Sequence, residues 1–201
     1  MIKNIIFDFG KVLVDYDMDV VIDSFFTDMD ECRRFKDILC GAEFTDICDR
    51  GEKPFPDIIA DVRAEHPEWE EPLRLFVERF QEFIFAEIPG MRDVLTRLRA
   101  EGFALYGLTN WSQTVYEVID RFPILRMLDG RVISSEEQII KPDVRIYECL
   151  CNRFGLKAEE CVFTDDKPVN IEGARRAGMQ GIVFHNAEQF EQELRLLLSS
   201  N

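Results

Sequence analysis

The stretch IKNIIFDFGKVL, residues 2–13, opens with a short apolar run that stops on an acid and continues into a glycine. Residues 2–9 read as a buried strand, and similar runs of apolar or β-favouring residues recur at FALYGLTN (103–110), CVFTDD (161–166) and GIVFH (181–185). Helical patterns lie between them. Met91, Val94, Leu95 and Leu98 mark one helix face, with Gly102 placed to close it. Ile146, Leu150 and Phe154 mark another, with Asp143 as N-cap and Gly155 as stop. Ile171 and Ala174 precede Gly178, and Phe190, Leu194 and Leu197 face inward near the end. Strands alternating with helices predict an α/β fold whose mainly parallel sheet carries helices on both faces.

Residues 16–88 break that rhythm. They hold 20 acidic against 8 basic residues and show no convincing strand. VVIDSFF, FKDIL, FPDIIADV and the long LRLFVERFQEFIF (73–85) read as helices, interrupted at Gly41, Gly51, Pro54 and Pro67. The division predicted is an α/β core of residues 1–15 and 89–201, with an all-helical insertion at 16–88.

Composition narrows the class. Of the 201 residues, 46% are hydrophobic and 31% charged, as in chains that bury a core in water. The net charge of −15 excludes general binding to nucleic acid or to an anionic membrane, since both need basic patches. No window approaches the roughly 18 apolar residues of a membrane helix, and the N-terminus lacks the apolar stretch of a signal peptide. Six cysteines without a CxxC pair fit reduced thiols in the cytoplasm.

In open sheets of this kind ligands sit at the carboxyl ends of the strands. Polar residues stand there: Asp8 after IIF, Thr109 and Asn110 after LYGL, Lys141 in IIKPD, and Asp165 and Asp166 after CVFT. Carboxylates from two strands, a hydroxyl and a lysine fit a metal-plus-phosphate site, with magnesium as the matching oxygen-seeking cation. An aspartate facing phosphorus can act as a nucleophile. Each residue alone also has an ordinary role as turn former, helix cap or solvated side chain.

The order of these segments resembles the haloacid dehalogenase (HAD) superfamily, a group dominated by magnesium-dependent phosphatases. FDFGKVL, LTN, KP and FTDDKPVN are similar to its four motifs, and the insertion at 16–88 to its helical cap on a Rossmann-like core. The run Val12–Asp17, the RGE at Arg50–Glu52, Lys141–Tyr147 and Asp165–Ala174 further resemble small bacterial sugar-phosphate phosphatases. The resemblance implies Asp8 as nucleophile and metal ligand, with Gly10 lending its carbonyl to the magnesium ion. It implies Asp166 as a direct ligand and Asp165 as direct or through water. Thr109, the Asn110 amide and Lys141 would hold the phosphoryl group of a small phosphorylated metabolite, with Lys141 also neutralising charge beside Asp8 and Asn170 supporting the metal residues.

One position departs from the pattern. Phosphatases of the superfamily usually carry a second aspartate two residues after the nucleophile as general acid and base, and here that position is Gly10. Three readings share this sequence: a phosphatase that relies on metal, lysine and a good leaving group or on an acid from elsewhere, a 2-haloacid dehalogenase, or a non-catalytic binding protein. If the acid is missing, Gly10→Asp is expected to speed hydrolysis of esters with poor leaving groups. Asp15 and Asp17 read as caps of the first inserted helix or as shapers of the hinge, with Asp15 also a substitute acid. Arg50 reads as a surface ion pair or as a group reaching the substrate.

Overall fold

The computed structural model describes residues 1–199. Five short strands form its main sheet: β1 (Asn4–Phe7), β4 (Ala104–Thr109), β5 (Gly130–Ile133), β6 (Cys161–Asp165) and β7 (Gln180–Val183). They are parallel throughout in the order β5-β4-β1-β6-β7, so β1 is central. A second, two-stranded ribbon pairs β2 (Val14–Tyr16) antiparallel with β3 (Ile84–Glu87). Helices α1 (Asp19–Asp23), α2 (Met29–Leu39), α3 (Ala42–Arg50), α4 (Phe55–Glu65) and α5 (Glu70–Glu78) lie between the two ribbon strands. The sheet's own helices are α6 (Met91–Ala100), α7 (Val115–Arg121), α8 (Ser134–Glu137), α9 (Val144–Phe154), α10 (Pro168–Arg176) and α11 (Ala187–Ser199).

Alternation along β1 sets the layers. Ile5 and Phe7 join the apolar cluster that takes in α6, α7, α11 and the inserted helices, whereas Ile6 joins the cluster built with α9 and α10. Both faces of the sheet are thereby covered, which is what a parallel sheet requires. The helix signals read from sequence are in place: Asp143 accepts the Arg145 amide at the start of α9, Gly155 ends it with φ +65, and Gly102 follows α6 with φ +92. No helix among the described residues is long and apolar enough to cross a membrane.

Two elements differ from the expectation. The helix expected over residues 73–85 stops at Glu78; a 3₁₀ turn (Phe80–Phe83) follows, and then β3. The apolar spacing of Phe76, Phe80 and Phe83 serves a helix and a 3₁₀ turn equally. What decides is distant chain: the Phe83 carbonyl accepts the Asp17 amide at 2.8 Å, and the Ile88 amide reaches Leu13 at 2.9 Å. Residues 16–88 therefore do hold a strand. The edge strand β5 is the second difference, a four-residue element whose run is broken by Arg131.

Candidate active site

Asp8 stands just beyond β1, the central strand, while the flanking strands end on Thr109 and on Asp165, with Asp166 next. Because the strands are parallel, three adjacent carboxyl ends converge on one edge. The Asp8 amide continues the pairing of β1 onto the Thr164 carbonyl at 2.9 Å. Its Oδ1 accepts the Phe9 amide at 2.7 Å, which fixes the carboxylate against its own backbone.

Lys141 arrives from the loop before α9 and is 3% exposed. Its Nζ lies 2.9 Å from Asp8 Oδ1 and 2.6 Å from Asp165 Oδ2. Two residues hold it there. Asn110 accepts the Lys141 amide on Oδ1 at 2.8 Å and donates from Nδ2 to the Lys141 carbonyl at 3.1 Å. Asp165 is itself anchored by Asn170 Nδ2, 3.0 Å from each carboxylate oxygen, and by the Lys167 amide at 2.8 Å. With these partners Asp165 is fully buried, outside the lining of the cleft.

The charges do not balance within the protein. Oxygens of Asp8, Asp165 and Asp166 come within 4.8 Å of one another, with one ammonium in contact. Burial, reinforced by Asp165, pushes the Asp8 carboxyl up to about 7 against the pull of Lys141. Burial and Asp165 push Asp166 up as well. Burial opposes ionisation of Asp165 too, but Lys141, the Lys167 amide and Asn170 outweigh it and hold that carboxyl below its usual range. Burial likewise opposes charge on Lys141, yet Asp165 and Asp8 together hold its ammonium above the ordinary lysine range. An all-oxygen set with surplus negative charge fits a magnesium ion. Thr109 Oγ1, buried and without a hydrogen-bond partner among the described residues, fits an incoming ligand oxygen.

A cleft of about 760 Å³ opens over this cluster. The core lines it with Asp8, Gly10, Thr109, Asn110, Lys141, Asp166 and Asn170, and the insertion with Phe44, Asp49 and Phe80 among others. Beside Asp8 the chain turns sharply: Lys11 adopts φ +60 and its amide donates to the Val14 carbonyl at 2.8 Å. Gly10 is not in the left-handed region; a Cβ there would lie 2.9 Å from Tyr16 Cε1. The Tyr16 ring thus fills the place where a side chain at position 10 would begin.

All the site residues named from sequence gather on this one edge or immediately behind it. Asp17 accepts the Asp19 amide from one residue before the N-cap of α1, which is Met18 and has no side-chain cap bond. Asp15 instead pairs with Lys11 Nζ at 2.7 Å, and Arg50 faces Asp46 and Glu52 outside the cleft. Sequence reasoning missed Tyr16, Asp49 and Ser134. Asp49 sits one residue before the RGE segment, but nothing in its spacing says which side of the inserted helix turns toward the sheet.

Residues 2–178 match the family profile of haloacid dehalogenase-like hydrolases. Flavin mononucleotide hydrolase 1 of Arabidopsis thaliana is 27% identical over 55% of this chain and 45% of its own length. A glyceraldehyde 3-phosphate phosphatase of Pyrococcus abyssi is 32% identical over 49% of this chain and 42% of its own. The matched stretch spans less than half the length of either relative. A HAD family enzyme of Bacteroides thetaiotaomicron, crystallised with magnesium and inorganic phosphate, superposes with a TM-score of 0.76 at 20% identity, covering 92% of this chain and 96% of that one. That likeness concerns the fold. With the profile matched over most of its length, the chain belongs to the haloacid dehalogenase-like hydrolase family.

Proposed function

We propose that this chain is a magnesium-dependent phosphatase of a small phosphorylated metabolite, working through an aspartyl-phosphate on Asp8. In this reading residues 16–88 act as a cap over the core of 1–15 and 89–201. The observation that carries it is Lys141, buried and shared between Asp8 and Asp165 beside a third carboxylate and an unpartnered threonine hydroxyl. Asp8 Oδ1 is held by the Phe9 amide and Lys141, whereas Oδ2 has no hydrogen bond among the described residues and is the oxygen placed to attack phosphorus. Thr109, the Asn110 amide and Lys141 orient the phosphoryl oxygens. As Asp8 bonds to phosphorus the ester oxygen leaves; water then attacks phosphorus, releasing phosphate and regenerating the Asp8 carboxylate.

Asp8, the Gly10 carbonyl and Asp166 would hold the magnesium ion, with Asp165 reaching it directly or through water. Bound there, the ion supplies charge neutralisation for the phosphoryl oxygens. Relatives named for flavin mononucleotide and glyceraldehyde 3-phosphate support a phosphate ester as substrate. Six unpaired cysteines support a reducing compartment, and we place the enzyme in the cytoplasm. The third acid, Asp166, weighs against a metal-free dehalogenase, because the one ammonium in contact does not neutralise three clustered carboxylates.

Hydrolysis of p-nitrophenyl phosphate with added magnesium, and again with excess chelator, tests the reading. Turnover that chelation removes and magnesium restores is expected. Turnover indifferent to chelator, or halide release from a 2-haloacid without phosphate release, would contradict it.

A further inference from the structure

Gly10 leaves the proton of the leaving group unassigned, and Asp15, the next carboxylate after it in the chain, is engaged by Lys11. We propose that Asp49, on inserted helix α3, is the acid that protonates the departing oxygen and the base that then activates water. The inference rests on the phosphatase reading.

Asp49 lines the same cleft as Asp8, Gly10, Lys141 and Asp166, but is carried by the insertion rather than by the sheet that carries Asp8, so a second acid from another element faces the ligand space. Beyond the helix backbone, its one hydrogen bond among the described residues is through its carbonyl, which accepts Ser134 Oγ at 2.5 Å. The carboxylate itself has no hydrogen bond or ion pair there, so its oxygens are available to a ligand.

Its placement is built in. Ser134 is fully buried, and its Oγ also accepts the Trp111 amide at 2.9 Å, next to Asn110. One hydroxyl thus ties the end of α3 to the strand end that carries Thr109 and Asn110. Gly51 closes α3 at φ +63, and a Cβ there would lie 2.6 Å from the Ser135 carbonyl, so the docking needs glycine. These contacts fix Asp49 in the wall of the cleft.

The charged and titratable groups around it are Lys167 and Lys141 from the core, Asp46 and Cys48 from its own helix, and Tyr16 from the ribbon. Burial raises its carboxyl to about 6 against the pull of the two lysines. A value that close to neutrality suits a group that must both give and take a proton.

The steps balance. Asp8 Oδ2 bonds to phosphorus, the bond from phosphorus to the ester oxygen breaks, and the Asp49 proton passes to that oxygen to give the alcohol. Asp49, now a carboxylate, takes a proton from water as its oxygen attacks phosphorus. The bond from Asp8 to phosphorus breaks, inorganic phosphate leaves, and both aspartates return to their starting states.

The test compares log kcat/KM against leaving-group pKa for wild type, Asp49→Asn and Asp49→Glu, using aryl and alkyl phosphates with magnesium present. Wild type is expected to show a shallow slope. Asp49→Asn should lose about 10²-fold or more on alkyl esters while changing little on p-nitrophenyl phosphate, whose leaving group needs no acid. Asp49→Glu should recover part of the alkyl-ester rate. An equal loss on every ester would reduce Asp49 to a structural part, and an unchanged slope would remove it from the chemistry; either overturns this inference alone. A wild type inert toward every ester overturns the phosphatase reading and this inference with it.

Discussion

Asn110 and Lys141 grip each other through the Asn110 side chain and the Lys141 backbone, with one hydrogen bond in each direction, at 2.8 and 3.1 Å. A residue expected to serve phosphate through its amide therefore also sets where the buried ammonium stands. Asn110→Ala should cost about 1–3 kcal/mol of stability, because it strands partly buried backbone groups. It should also lower kcat at least tenfold by loosening Lys141. Urea denaturation alongside turnover of p-nitrophenyl phosphate measures both, and wild-type kcat in a stable variant would show that the clasp is not needed for catalysis.

Asp165 is an anchor as much as a candidate ligand. Its carboxylate takes the buried side chains of Lys141 and Asn170 and the amide of exposed Lys167. Asp165→Ala removes the shared counter-charge and should destabilise by about 3–5 kcal/mol, as loss of one member of a buried pair does. Thermal unfolding checks this; a loss below about 1 kcal/mol would mean that the pair is hydrated.

Position 10 is closed by contact rather than by backbone angle. A Cβ there meets Tyr16 Cε1 at 2.9 Å, while Gly10 itself has no left-handed φ. The gain in rate expected for Gly10→Asp from sequence alone is accordingly revised. The single variant should lose about 1–3 kcal/mol to overpacking and hydrolyse alkyl esters no faster. Adding Tyr16→Ala should return part of the stability. Calorimetry on the two variants decides, and a single variant as stable as wild type would contradict the crowding.

Asp49 should make the stability of the metal-free protein depend on pH. Its folded carboxyl sits at about 6, above the ordinary 3.8, so folding favours its protonated form. That contribution is complete below about 4 and is lost as pH rises through about 6. Asp49→Asn, which cannot ionise, should therefore exceed wild type by roughly 3 kcal/mol at pH 8 and by little near pH 4. Paired denaturation curves across that range give the difference directly; a gap independent of pH would contradict the shift.

The residues at the strand ends were legible because each closes a short apolar run: Asp8 after Ile5, Ile6 and Phe7, Thr109 after Leu108, Asp165 after Phe163 and Thr164. Local pattern also marked Asp143 and Gly155 as the ends of α9. What was not legible depends on chain far away in sequence. The bond from Ser134 to Asp49 spans 85 positions, the Asn110 and Lys141 clasp spans 31, and β3 exists because it meets β2. Asp15 and Asp49 look alike as sequence, two acids in acidic surroundings. Packing against Lys11 takes one out of play, and the docking of α3 on α8 delivers the other to the cleft.

The central claim is that phosphorus becomes bonded to Asp8, and trapping that bond tests it most directly. Turnover of p-nitrophenyl phosphate with magnesium is quenched in acid, the protein is reduced with borohydride, and its peptides are mapped by mass. An acyl phosphate is reduced to the alcohol, so the account predicts homoserine at position 8, absent without magnesium and absent in Asp8→Asn. Reduction at another carboxylate, or steady turnover with position 8 unmodified at every quench time, would contradict it.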